Sequence, residues 1–173
     1  MTPAPKLAAG ASFPKLSWPA VGGGTLNVAS MPGWRLVAVY RGKHCPLCKR
    51  YFKVLDGLLE DFKAAGVAVA AVSADPKEKA EADVAELGWR FPVGYGLTID
   101  QMRTLGLYIS DPRSPQETDR PFAEPGLFLV NPQGNVQIVD VSNAPFSRPD
   151  LQMILHGAKV VIEKNYPVRG THA

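Results

Sequence analysis

The chain has 173 residues, 46% of them hydrophobic and 20% charged, and its 19 basic and 16 acidic side chains leave a net charge of +3. That length buries a full core without cross-links, and so mild a charge gives no argument for nucleic acid. Two cysteines exclude a disulfide-framework scaffold and point to an intracellular thiol.

Residues 1–13 hold one lysine and no apolar stretch of leader length, so no signal peptide is expected. No run approaches the roughly eighteen apolar residues of a membrane span, and a cytoplasmic protein is the expectation. Gly22, Gly23 and Gly24 separate two short apolar stretches, 13–18 and 25–28. These either pair as a short hairpin or leave the glycines as a mobile loop. Residues 34–40 are the first firm strand, with Leu36, Val37, Ala38 and Val39 in the continuous apolar run of a strand covered on both faces.

A helix follows, with Leu47, Tyr51, Val54, Leu55, Leu58, Leu59 and Phe62 at helical spacing and a stop near Gly66. Pro46 suits its first position, where a missing N–H costs nothing. Residues 67–72 form a second buried strand. Asp75, Pro76 and Glu78 read as a capping-box start, with Val84 and Leu87 on the buried face and Gly88 as the stop. A short strand is expected at 91–94, then a helix begun by Thr98 with Gln101 three residues on. Residues 110–124 are polar, carry Pro112, Pro115 and Pro121, and read as a long loop, either a lid or a spacer. Strands at 126–130 and 135–141 flank a tight turn at Pro132, Gln133 and Gly134. Leu151, Ile154, Leu155, Ala158, Val161 and Ile162 mark a final helix. Early alternation of strands and helices demands parallel crossovers, and the late hairpin adds antiparallel strands. The expected fold is α/β: one domain, 1–173, with a central mixed β-sheet flanked by helices on both faces.

The chemistry concentrates in the run Arg41, Gly42, Lys43, His44, Cys45, Pro46, Leu47, Cys48, Lys49, Arg50, which joins the first strand to the first helix. Thiols at i and i+3 in a first helical turn can close a small disulfide. They also lie where unpaired N–H groups and the helix dipole stabilise a thiolate. Open α/β sheets place their chemistry at this carboxyl end of the strands. The bland alternative is a pair of buried, inert thiols. A zinc site would need His44, His156 and His172 to converge on the pair. His44 either donates a proton or stabilises the thiolate, or is a solvated loop residue. Lys43, Lys49 and Arg50 supply a positive field. His156 falls on the polar side of the last helix, and Trp34 and Trp89 read as packing.

With Gly10, Phe13, Pro14 and Leu16 near the start, Cys45-Pro46-Leu47-Cys48 after the strand, and residues 125–134 later on, the chain resembles the thioredoxin superfamily. More narrowly, it is similar to the alkyl hydroperoxide reductase/thiol-specific antioxidant (peroxiredoxin-like) family. The resemblance implies a thioredoxin-like fold and departs from the family pattern at three positions. Matching the family's peroxide-attacking cysteine to Cys48 puts Cys45 where its threonine belongs and Arg41 where its proline belongs. Pro125 stands where the family carries an arginine, leaving Arg41 or Arg120 to supply that cation. A proline there resembles the cis-proline of thioredoxins, so a cis Glu124–Pro125 bond against the cysteines is expected.

The function this implies is a thiol oxidoreductase that reduces hydroperoxides through a Cys45/Cys48 dithiol–disulfide cycle, with His44, Pro125 and Arg41 in support and no cofactor. The family match points to Cys48 as the attacker of peroxide, while the thioredoxin position points to Cys45 for disulfide exchange. An external thiol of the thioredoxin or glutaredoxin type would restore the pair, in a monomer or a homodimer, with neither nucleic acid nor membrane as partner. A second enzymatic reading is a thioredoxin-like protein disulfide reductase. A reading of another class is a non-enzymatic copper-binding or redox-sensing module, against which the late hairpin offers no histidine.

Overall fold

A computed structural model describes residues 5–173; the first four residues of the segment read for a leader lie outside them. Two short strands, β1 (Ser17–Pro19) and β2 (Thr25–Asn27), pair antiparallel around the three glycines, so the hairpin alternative holds. The central sheet is built on β3 (Trp34–Val39), whose apolar run is buried on both faces as its sequence requires.

After β3 come α1 (Pro46–Gly57) and α2 (Leu59–Ala64), where one continuous helix was expected. The break falls at Leu58, which follows Gly57 and has φ −98° and ψ 0°. The apolar periodicity runs through it, because Leu55, Leu58 and Phe62 all reach the same core. Next stand β4 (Val67–Val72), α3 (Lys77–Leu87), β5 (Val93–Gly94) and α4 (Ile99–Thr104). Thr98 and Gln101 do form a capping box at α4. Asp75 and Glu78 do not form one at α3, whose N-cap is Pro76 without a side-chain bond, because the Asp75 carboxylate is engaged elsewhere. The buried face of α3 also differs from expectation. Ala80 and Asp83 point inward, Val84 is half-buried and Leu87 is exposed.

The segment read as a loop, 110–124, is bracketed by an antiparallel pair, β6 (Ile109–Ser110) and β7 (Phe122–Ala123). The chain ends with β8 (Gly126–Val130), β9 (Val136–Val141) and α5 (Leu151–Glu163). Sheet order is β5-β4-β3-β8-β9, with β3, β4 and β5 parallel and β8 and β9 antiparallel, so the mixed sheet is as expected.

Alternate residues of the central strands feed two cores. Leu36, Ala38, Val67 and Val69 pack against α1, α2 and α5, while Val37, Val39, Ala70 and Val72 face the β1–β2 hairpin and α4. On the first face Phe52 of α1 meets Tyr40, Trp89 and Phe91 edge-on at 4.9–5.4 Å. Each such pair adds about 0.5–1.5 kcal/mol beyond burial, which holds the middle of α1 against the sheet.

Candidate active site

β3 runs straight toward the cysteines. Tyr40 N–H continues its ladder by donating to Val72 O, and the chain then turns, with Cys45 N–H donating to Gly42 O at 3.1 Å. Asp75, at the end of β4, braces this turn. Its Oδ2 accepts the Lys43 N–H at 2.7 Å, and its own N–H donates to Ser73 Oγ. Burial raises the Asp75 pKa and the Lys43 N–H opposes that rise.

Cys45 is the N-cap of α1, and its sulfur accepts the Cys48 N–H at 3.2 Å. An orphan donor of the first turn thereby points at a sulfur, as an oxygen cap would accept it. Both cysteines are free and 1% exposed. A hydrogen bond from the Cys48 side chain lowers the Cys45 thiol most. The Cys48 backbone N–H, Arg41 and the charge of Arg148 add to it, and together they outweigh burial and bring Cys45 down to about 6. Burial, then the neighbouring Cys45, push Cys48 up. These contacts lower Cys45 relative to Cys48, so a thiolate is favoured on Cys45 and disfavoured on Cys48.

The cation nearest the sulfurs is Arg148, in the segment between β9 and α5. Its Nη2 lies 2.8 Å from Cys48 Sγ and 3.9 Å from Cys45 Sγ. The guanidinium sits over the Tyr51 ring at 4.8 Å, and Tyr51 Oη donates to Pro149 O at 2.7 Å. Ser142 Oγ also donates to Ser147 O, and Asp150 caps α5 through the Met153 N–H. A strap over residues 142–150 is thus pinned to α1. Neither periodicity nor motif spacing marks Arg148, which lies a hundred residues from the cysteines and reaches them only through the sheet. Its one sequence signal is that it is a cation just before the Asp150 cap.

The other expected residues divide. Arg41 lies at the site, its Nε 3.1 Å from Glu124 Oε2 and its Nη2 3.8 Å from Glu117 Oε1, so residues 110–124 clamp this cation. Arg120 instead pairs with Asp119 at 3.0 Å. The His44 ring packs edge-on against Phe122 at 4.6 Å, and neither of its nitrogens has a hydrogen-bond partner. Burial, then the charge of Arg41, lowers it to about 4, so the imidazole is neutral at pH 7.

The expectation of a cis proline is corrected, since no cis peptide bond occurs among the described residues and Glu124–Pro125 is trans. Backbone pairing on both sides holds this stretch extended, with Glu124 N–H donating to Tyr108 O and Pro125 O accepting from Ser142 N–H. Pro125 shares a small cavity with Arg148, Tyr51 and Phe52. On the outer side of Arg148 an apolar groove of about 520 Å³ runs between α1 and the strap, lined by Leu47, Tyr51, Val54, Pro145 and Phe146. Behind the pair, Lys49 Nζ stands 3.6 Å from Asp83 Oδ1. His156 is exposed on α5, Trp89 is buried and Trp34 is partly buried.

A mixed sheet of this order, with a dithiol at the start of the helix that follows its central strand, defines the class as a thiol oxidoreductase of thioredoxin-like fold. The AhpC/TSA family profile matches residues 9–139, and the chain belongs to that family. It is a thiol-dependent oxidoreductase of the peroxidase class. No curated protein matches it. Among solved structures it is similar to AhpC of Mycobacterium bovis, at TM-score 0.77 and 16% identity over 98% of this chain and 99% of that one. It is also similar to a mutant peroxiredoxin 6 of Arenicola marina, at 0.77 and 18% over 92% and 75%. A third is a mutant PrxQ of Xylella fastidiosa, at 0.75 and 14% over 91% and 99%. At these identities the likeness is one of fold. No helix among the described residues is long and apolar enough to cross a membrane.

Proposed function

We propose that Cys45 and Cys48 reduce a hydroperoxide through a dithiol–disulfide cycle, with Cys45 as the attacking thiolate. The observation that carries this is the N-cap geometry, which directs the Cys48 N–H onto the Cys45 sulfur and favours the charge there. It weighs against the assignment of attack to Cys48 that the family match implies. In the first step the Cys45 thiolate attacks the terminal peroxide oxygen. A new S–O bond forms, the O–O bond breaks, and the departing alkoxide or hydroxide takes a proton from solvent. The Cys48 thiol then condenses with the Cys45 sulfenic acid, giving the disulfide and one water. An external dithiol of the thioredoxin or glutaredoxin type returns two electrons and two protons. Arg41 serves as a second cation beside Cys45, while His44 and Pro125 shape the surroundings without touching the reacting atoms. We read residues 1–173 as one domain acting in the cytoplasm, where thiols are kept reduced, and a homodimer is compatible with this reading.

The test is one equivalent of hydrogen peroxide added to reduced protein, with both thiols followed by mass spectrometry. The wild type should give the Cys45–Cys48 disulfide, Cys48→Ser a sulfenic acid on Cys45, and Cys45→Ser neither. Sulfenate on Cys48 in the Cys45→Ser variant would move the attacking role to Cys48. Two unchanged thiols in the wild type would sink the peroxidase reading and favour a protein disulfide reductase.

A further inference from the structure

We propose that Arg35 anchors a second binding site, for a small monoanionic carboxylate with an apolar body, at the end of the sheet opposite the cysteines. β3 runs from Arg35 toward Cys45, so a length of strand of about 15–20 Å separates the two. The site stands apart from the thiol chemistry and does not depend on it.

β3 is an apolar strand buried on both faces, and Arg35 is the charge within it. Alternation along the strand puts Arg35 on the face of Val37 and Val39, the side of the β1–β2 hairpin. It is 8% exposed and is the one buried arginine among the described residues. A charge in such a position is costly unless it is paired. Arg41, Arg90, Arg103, Arg113 and Arg120 each stand beside a carboxylate. Among the described residues Arg35 has none within ion-pair distance. Its Nε donates to Met31 O at 2.6 Å, which fixes the guanidinium plane and leaves the edge carrying the two Nη groups without a hydrogen-bond partner there.

Arg35 lines a cavity of about 270 Å³. Phe13, Val28, Val130 and Pro132 give that cavity apolar walls, and Lys15, an exposed side chain, adds a second positive charge to its lining. No Asp or Glu lines it among the described residues. The space therefore offers a fixed donor edge, a positive field and an apolar surface together. A carboxylate presents two coplanar oxygens, the geometry that a guanidinium edge meets with two parallel N–H groups. One carboxylate also balances one guanidinium. A dianionic phosphate would bring a second charge against walls that hold no other buried cation. A phenyl or short alkyl body on the carboxylate would cover Phe13 and Val28, and its removal from water adds to affinity.

The probes are benzoate, its neutral isostere benzamide, and phenyl phosphate, each titrated into the full reduced chain. Calorimetry gives affinity, and amide chemical shifts in two-dimensional NMR give place. Benzoate should bind saturably at one site, with shifts at Phe13, Val28, Ala29 and Gly134 and none at Cys45 or Cys48. Benzamide should bind about 10- to 100-fold more weakly, the value of a charge-assisted pair of hydrogen bonds. Arg35→Met should weaken benzoate by a similar factor. Arg35→Lys should recover only part of it, because an ammonium lacks the fork. The absence of saturable benzoate binding at millimolar concentration, or shifts centred elsewhere, would overturn the proposal. So would equal affinity for benzamide, or unchanged benzoate affinity in Arg35→Met. Tighter binding of phenyl phosphate than of benzoate would overturn the carboxylate class. If Arg35→Met does not fold, the wild-type comparison of benzoate with benzamide, placed by NMR, decides.

Discussion

A side chain on Gly42 would collide with the carboxylate of Asp75. A Cβ built there falls 2.7 Å from Asp75 Oδ1 and 2.9 Å from Oδ2, and the glycine sits at φ +131°. The end of β4 thus presses against the turn that leads into Cys45, and Lys43 N–H closes the contact from the same turn. The sulfur geometry is set by a junction between two parallel strands.

Gly42→Ala should therefore be costly on two counts, a left-handed backbone and a buried clash. The expected loss is about 1–3 kcal/mol of folding stability in urea denaturation. The thiolate titration should also move upward, since the Cys45 cap depends on this turn. An alanine variant with unchanged stability and titration would show that Asp75 yields freely.

Peroxide reactivity should follow the Cys45 thiolate, rising with pH through about 6 and reaching a plateau above it. The sign for stability is the same. A depressed thiol pKa contributes stability that is complete above the unfolded value and is lost as pH falls toward 6. Cys48, pushed upward, adds no titration in this window, and His44, lowered to about 4, stays neutral. A rate profile with its midpoint near an ordinary thiol pKa would contradict the N-cap assignment.

Asp83 is fully buried, and burial raises its carboxyl to about 6 against the partial offset of Lys49. The folded protein holds that proton more tightly than the unfolded chain. Stability from this group is therefore present at low pH and lost as pH rises from about 4 through about 6. Comparing Asp83→Asn with wild type by urea denaturation, the balance should shift toward the variant by up to about 3 kcal/mol between acidic and neutral pH. A difference that is flat with pH would mean Lys49 fully compensates the charge.

Tyr51→Phe keeps the ring under Arg148 and removes only the hydrogen bond to Pro149 O. About 1 kcal/mol of stability should go with it. The strap should exchange its amide hydrogens faster, and peroxide reactivity should fall several-fold while Arg148 itself is intact. Unchanged exchange over residues 142–150 would show that the Asp150 cap pins the strap alone.

Much of this architecture was legible in local patterns. The buried runs at β3 and β4, the Thr98–Gln101 capping box and the Cys45-Pro46-Leu47-Cys48 helix start each carry their structure in a few adjacent residues. Short-range sterics and periodicity decide such features. Where a residue had a nearer and a farther partner, local reading failed. Asp75 has the spacing of a helix cap but bonds to Lys43, thirty-two residues away. On α3, Val84 and Leu87 were expected to face inward, but Asp83 is buried there instead, 3.6 Å from Lys49 of α1. Pro125 is trans, in a stretch whose backbone pairs with Tyr108 on one side and Ser142 on the other.

The sequence by itself determined that two thiols would share the first turn of a helix behind a buried strand, since i and i+3 spacing, Pro46 and the apolar run of β3 all act within a dozen residues. Which cation faces the sulfurs, only the tertiary structure decided. Arg148 reaches Cys48 across a hundred residues of chain, brought there by the β8–β9 pairing and the strap on Tyr51. The physical reason is range. A helix turn is fixed by bonds between near neighbours, whereas a guanidinium at 2.8 Å from a sulfur requires every intervening element to be packed in place.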